Sequence, residues 1–325
     1  MDIFVTGATG VLGRATVPML VAAGHRVRGL ARSEGNAALL REMGAESVTA
    51  DLFDADALRP MVAGCDAILH LATHIPPTNK AGRLPAWREN DHIRREGTRA
   101  LVAAALATGV GTFIYPSIVY VYPDSGDRWT DADTTPVEPH ALLQSTLDAE
   151  AMIAGFAGDD RRGITLRMGT LYGPESPAAL EQLRYARWGI AAFPGPRDAY
   201  LPMIWVQDAA AALVAALAHA PSGVYDVVDD EPPTRDELFT AMAQSVGKPR
   251  LHRLPGAVVR LFAGVATDML SRSWRVSNRR FQTITGWMPT VPNARIGWAR
   301  IANAERESGT VGSPVHARQS RPTPR

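Results

Sequence analysis

The octapeptide TGATGVLG, Thr6 to Gly13, constrains this chain more than any other stretch. It follows a short β-rich run, Ile3–Thr6, and opens a helical stretch. Strand, glycines and helix in that order suit a phosphate cradle. Gly7 permits a tight turn, Gly10 lets backbone amides approach a pyrophosphate, and Gly13 lets the helix lie close on a sheet. The free amides and the positive dipole end of the helix favour an anion, so Thr9, Val11 and Leu12 count as cradle residues with the glycines. A tight turn without ligand is the competing reading.

Further β-rich runs at Arg26–Leu30, Ser47–Ala50, Ala67–Leu71, Thr112–Pro116 and Ile164–Met168 alternate with helical stretches. The alternation predicts an α/β fold, a Rossmann-type doubly wound parallel sheet covered on both faces, with a smaller C-terminal substrate-binding subdomain. Helices are expected over Asp56–Val62, capped by Asp54, over Ala100–Thr108 and from about His140. After Gly173-Pro174 the pattern loosens. Pro177–Gly189 reads as a helix, Leu201–Val206 as a strand, Asp208–His219 as an Ala-rich helix capped by Asp208, and Val224–Val228 as a strand. Thr234 caps a helix over Arg235–Val246, with Glu237 placed for a capping box. Residues 1–168, joined again by 201–228, are assigned to the cofactor-binding domain. Residues 169–200 and 229–302 are assigned to the substrate-binding subdomain. From residue 303 to 325 Gly, Ser, Pro, Thr and Arg predict a disordered tail.

Lys plus Arg number 34 against 33 Asp plus Glu, and this balance argues against a nucleic-acid partner. The single cysteine, Cys65, excludes an internal disulfide and a thiolate metal cluster, and no metal is expected. Met1-Asp2 runs straight into Ile3, without the basic and apolar regions of a signal peptide. The longest apolar run, Ala209 to Ala218, is too short for a bilayer. A cytoplasmic protein without a membrane partner is expected, as monomer or homodimer.

The second strand ends in GLARSEG, where the following residue faces an adenosine ribose in folds of this kind. Arg32 offers a fork matching a 2′-phosphate, with Ser33 as a second donor, which favours NADPH over NADH. A solvated loop arginine is the alternative. ADLFD closes the third strand and places Asp51 and Leu52 beside the adenine, unless Asp51 is a helix cap. ILHLAT ends the fourth strand, and Leu71, Ala72 and Thr73 run under the cofactor.

Together with REGTRALVAAA, LRMGTLYGP, WVQDAAAALVAAL and GVYDVVDDEPPT, these motifs resemble the extended short-chain dehydrogenase/reductases, in their epimerase/dehydratase branch. The resemblance reaches to about residue 300 and is far more specific for fold than for reaction. It implies a hydroxyl after the fifth strand, matched by Ser117. It also implies a Tyr-x-x-x-Lys pair on the next helix, where the Lys lowers the Tyr pKa and holds the nicotinamide ribose while the Tyr passes a proton to the carbonyl oxygen. Aligned on QSTLDAE, the Tyr position holds Leu142 and the Lys position Thr146. Arg94 falls where many relatives carry Asn. Leucine has no proton to give and threonine no charge, so Leu142→Tyr alone is expected to gain little.

Other residues can be weighed as the missing acid. Tyr120 and Tyr122 follow Ser117 but suit loop packing as well, His140 suits a helix cap, and His74 follows the fourth strand where the family lines its substrate pocket. A ketone beside a phenol in one molecule needs none of them, because its internal hydrogen bond polarises the carbonyl. This makes Leu142 tolerable and is similar to the atypical ketoreductases that act on aromatic polyketides in antibiotic pathways, such as those reducing angucyclinones. Thr73, His74, Tyr120, Met168, Gly169 and Trp188 are the candidate substrate contacts. Trp188, Phe193, Tyr200, Met203 and Trp205 suit a flat aromatic ligand, although core packing explains large apolar groups equally well. The leading expectation is an NADPH-dependent ketoreductase for an aromatic ketone. A cofactor-sensing regulator without catalysis and a nucleotide-sugar epimerase or dehydratase are the alternatives. A reductase should leave an apolar cleft beside Met168.

Overall fold

The computed structural model of the protein describes residues 1–76, 80, 82–254, 264 and 266–311. Its centre is a parallel sheet of seven strands: β1 (Asp2–Thr6), β2 (Arg26–Leu30), β3 (Glu46–Val48), β4 (Ala67–His70), β5 (Thr112–Ile118), β6 (Arg162–Met168) and β7 (Gly223–Val227). Their order is β7-β6-β5-β4-β1-β2-β3, with every pairing parallel. The chain runs outward from β1 to β3, then returns to β4 and builds the other way. The gap beyond the carboxyl ends of β1 and β4 is therefore a topological switch point, the natural ligand crevice of such a sheet.

Burial on both faces explains why the strands read as nearly continuous apolar runs. Ile3 and Val5 enter one core with Ile114, Ile164 and Leu166, while Phe4 enters the opposite core with Ile68 and Phe113. Helices α1 (Val11–Ala22) and α8 (Val206–His219) cover the first face and pack on each other. The second face is covered by α3 (Ala55–Val62), α5 (Thr98–Thr108) and α6 (Gln144–Phe156). A short α2 (Glu34–Glu42) lies along β3, and α4 (Arg88–His92) runs into α5 through a π-helical turn, Ile93–Gly97. Asp54 caps α3 from the amides of Asp56 and Ala57, as the sequence predicts.

A third core joins Tyr120, Tyr122, Tyr172, Leu201, Trp205, Trp274 and Trp298 with α7 (Pro177–Arg187) and α9 (Arg235–Ser245). Thr234 closes the expected capping box with Glu237. The strand expected within 201–206 is shorter, Met203–Trp205. It pairs with Thr170–Tyr172 outside the main sheet, and it straddles the cores because Ile204 faces one and Met203 and Trp205 the other. Asp208 does not cap α8, which begins two residues earlier. Its buried carboxylate instead accepts from the Val291 amide at 2.9 Å and the Thr290 hydroxyl at 2.7 Å.

The tail expectation also needs correcting. A helix covers Ala294–Val311, past residue 303, with Ile301 and Ala302 buried and Glu305 3.2 Å from Arg187. Ala, Glu and Arg between Ala302 and Glu307 are strong helix formers. Residues 312–325 lie outside the described residues. Among the described residues no helix is long and apolar enough to cross a membrane.

Candidate active site

The turn after β1 is a backbone construction. Gly7 sits at φ +67°, and a Cβ there would come within 2.5 Å of the Ala72 amide. A Cβ on Gly13 would meet the Gly7 carbonyl oxygen at 2.3 Å. Leu71 and Ala72 thus lie against the glycine turn, and α1 lies against the turn that precedes it. Gly10 caps α1 without any side-chain hydrogen bond and is exposed, leaving the amides of the first turn, at Val11, Leu12 and Gly13, open to an anion. This uncapped helix end at the switch point fits a dinucleotide pyrophosphate.

On the adenosine side, Arg32 is exposed, with Nη1 3.9 Å from Glu89 Oε1. Ser33 caps α2 by accepting from the Asn36 amide, which leaves its own proton free to donate. Asp51 accepts from the Phe53 amide at 2.9 Å rather than capping α3, and Leu52 packs beneath Gly97. Thr73 and His74 are exposed at the end of β4. The His74 ring lies 3.4 Å from Glu89 and its amide donates to Asn90 Oδ1.

The catalytic helix departs from the family pattern in a way the alignment alone does not convey. Leu142 is buried in a 3-10 turn, Ala141–Leu143, that His140 caps, so the capping reading of His140 holds. Thr146 is fully buried on α6, and its hydroxyl accepts from Nη1 of Arg94 on the π-helical turn. A guanidinium therefore stands at the position where the family's lysine would begin.

Ser117 is buried, and its hydroxyl donates to Glu150 Oε1 on α6 rather than pointing to open space. Glu150 is clasped by Arg167 of β6, through Nε at 3.1 Å and Nη2 at 2.7 Å. Burial works against the charge on Arg167, but the hydrogen bonds and charge of Glu150 outweigh it and raise its pKa. Arg167 Nη1 donates to the Tyr122 hydroxyl at 3.0 Å, which donates to Asp226 on β7 at 2.8 Å. Burial pushes the Asp226 carboxyl up to about 7 despite that bond, the Arg167 charge and the Ala132 amide. One buried chain of hydrogen bonds thus crosses from β5 to β7.

The remaining candidates are scattered. Tyr120 is buried, stacks on Trp274 at 4.5 Å and bonds the Thr170 hydroxyl. Met168 is buried in the first core, and Gly169 lies against the Met203 carbonyl. Trp188 is 65% exposed at the end of α7, its ring resting on Tyr185. Met203 and Trp205 are core residues. Phe193 lines a cavity of about 480 Å³ with Gly195, Arg197, Arg253, Leu254 and Ser271.

Comparison with known proteins meets this geometry at its strongest point. The model of the NAD dependent epimerase/dehydratase family matches residues 3–228, from β1 through β7. The chain belongs to that family. Like its other members it is built to take NAD(P)H. A 3-diazoavenalumate denitrifying reductase of a Streptomyces species is 30% identical over 92% of this chain and 100% of its own length. The 4-hydroxy-2-methyl-3-oxo-4-farnesyl-3,4-dihydroquinoline-1-oxide ketoreductase of Stigmatella aurantiaca is 26% identical over 97% of this chain and 93% of its own. Among solved structures, human epimerase family protein SDR39U1 with NADPH superposes with a TM-score of 0.80 at 25% identity, covering 93% of this chain and 99% of that one. The chain thus keeps the family's fold from β1 through β7.

Sequence reading missed Glu150, Asp226 and the bond between Arg94 and Thr146. One signal was available: Arg167 interrupts the buried run ITLRM, and a buried arginine needs a carboxylate.

Proposed function

We propose that the protein is an NADPH-dependent reductase of a carbonyl in an aromatic, polyketide-type small molecule, with the proton coming from a phenol of the substrate. The observation that carries this reading is the pair Leu142 and Thr146 at the positions where the family places its acid and its lysine. Gly7, Thr9, Gly10, Val11, Leu12 and Gly13 would hold the pyrophosphate, and Arg32 and Ser33 the 2′-phosphate. Asp51, Leu52, Leu71, Ala72 and Thr73 would flank the adenosine half, with Met168 beneath the nicotinamide. The bound cofactor supplies hydride. His74, Tyr120, Gly169 and Trp188 remain candidate substrate contacts, and Ser117 could touch the carbonyl only by leaving Glu150. A sugar epimerase or dehydratase needs a tyrosine base, which Leu142 cannot replace.

A second acceptor meets the same condition. Hydride added to an aryl diazonium carbon releases dinitrogen and forms a C–H bond without any proton. The likeness to a denitrifying reductase over 92% of this chain and the whole length of that relative favours keeping it beside the ketone.

The test is turnover of NADPH, followed by loss of its absorbance, with three probes. These are a ketone beside a free phenol, the same ketone with the phenol methylated, and an aryl diazonium salt. The free phenol ketone should be reduced and its methyl ether should not. Equal turnover of the two ketones would overturn substrate assistance. Tight NADPH binding without turnover of any probe would overturn the reductase reading in favour of a cofactor sensor.

A further inference from the structure

Arg94 is 6% exposed in the π-helical turn Ile93–Gly97, a type of helix defect often found at functional sites. Its Nη1 is spent on a neutral hydroxyl, that of Thr146, and among the described residues its Nε is buried with no partner. The nearby carboxylates are engaged elsewhere. Asp91 accepts from Ser145 Oγ at 2.7 Å, Glu96 pairs with Arg99, and Asp148 pairs with Arg95 at 2.6 Å. Glu150 is held by Arg167 and Ser117. On the sheet side Arg94 lies near enough to Tyr115 and His70 for its charge to act on both. The His70 ring is driven down to about 4 by burial, with the Arg94 charge adding to the effect, so it is neutral. A buried guanidinium without a counter-ion is costly, and it persists most readily where a ligand supplies the missing negative charge.

We propose that Arg94 is the cationic group of this active site, reaching from the π-helical turn to the place of the family's lysine, where it holds the nicotinamide ribose and stabilises an oxyanion beside it. This deepens the reductase reading and rests on it for the substrate, not for the geometry. In a phenol-flanked ketone the phenol proton passes to the carbonyl oxygen as the incoming hydride pair forms the new C–H bond. The carbonyl π pair becomes a lone pair on that oxygen. The phenolate left behind faces the guanidinium until water returns a proton. The inference also revises the expectation for Leu142→Tyr, which assumed that no charge stands near position 146.

The test places a phenol on the chain itself. Leu142→Tyr, alone and combined with Arg94→Gln or Arg94→Lys, is titrated by phenolate absorbance against the parent protein. Six of the seven native tyrosines, Tyr115, Tyr120, Tyr122, Tyr172, Tyr185 and Tyr225, are pushed up, so an early-ionising phenol stands out. The added phenol should ionise between about pH 7 and 9 with Arg94 in place or after Arg94→Lys, and at about pH 10 or above after Arg94→Gln. Ionisation unaffected by Arg94→Gln would overturn the proposal. NADPH affinity provides a second reading in the parent protein, should the double variants not fold. It should fall about ten-fold in Arg94→Gln and stay near normal in Arg94→Lys, while thermal stability is unchanged or raised. Equal NADPH affinity in the two variants, or a large loss of stability in both, would assign Arg94 a structural role instead. Loss of all ketone turnover with the phenol shift intact would sink the substrate reading alone.

Discussion

The turn after β1 and the space between β5 and α6 both belong to the site, and they are made differently. The first is backbone: three glycines and a helix end packed against the chain after β4, with no side chain capping α1. The second is a set of side chains on separate elements, Arg94, Ser117, Thr146, Glu150, Arg167, Tyr122 and Asp226, in which each position depends on the others. A backbone site tolerates little change, because no rotamer relieves a clash. A side-chain site can be rebuilt by exchanging one charged group for another on a neighbouring helix, as we propose for Arg94.

The contrast can be broken most sharply at Glu150. Glu150→Leu strips Arg167 of its counter-ion and should cost about 3–5 kcal/mol in chemical denaturation, with much of the loss recovered when Arg167→Met is added. A cost no larger than that of a surface change would mean the buried chain does not hold β5, β6 and α6 together. Next is the cradle. Gly13→Ala drives a methyl into the Gly7 carbonyl and should cost about 1–3 kcal/mol along with NADPH binding. Gly10→Ala, whose nearest neighbour is 3.2 Å away, should leave stability nearly intact. Equal costs would show the cradle to be softer than its geometry implies.

Arg32→Ala should weaken NADPH about ten-fold or more and leave NADH unchanged, since only the 2′-phosphate is lost as a partner. Parallel loss of both cofactors would remove Arg32 from the phosphate site.

One further effect concerns pH. The Asp226 carboxyl is raised from 3.8 to about 7 in the folded chain, so its contribution is fully present below about pH 4 and lost as pH rises to about 7. Asp226→Asn should therefore compare more favourably with the parent at pH 8 than at pH 4.5, by about 3 kcal/mol in unfolding free energy. A difference independent of pH would show that Asp226 is ionised in the fold.

Much of the architecture was legible because it depends on local pattern. The strands and α9 with its capping box were readable from alternation, from Thr234 and Glu237, and from the apolar runs that a two-faced sheet requires. The errors share another cause. Asp208 looked like a cap because an Asp opening an Ala-rich helix usually is one, yet the Thr290–Val291 segment, far away in sequence, claimed it. Residues 303–311 looked tail-like, but the helix continues across them, anchored by burial at Ile301 and Ala302.

The sequence alone determined the parallel sheet, the switch point and the glycine turn, because steric limits on glycine and the period of apolar residues act over a few positions. It also determined that the acid and the lysine are missing from α6. Only the tertiary structure decided that a charge nonetheless returns to Thr146 from residue 94, and that Ser117 is held by Glu150. Electrostatic partners are chosen by distance in space, and 52 residues of chain separate that guanidinium from the hydroxyl it meets.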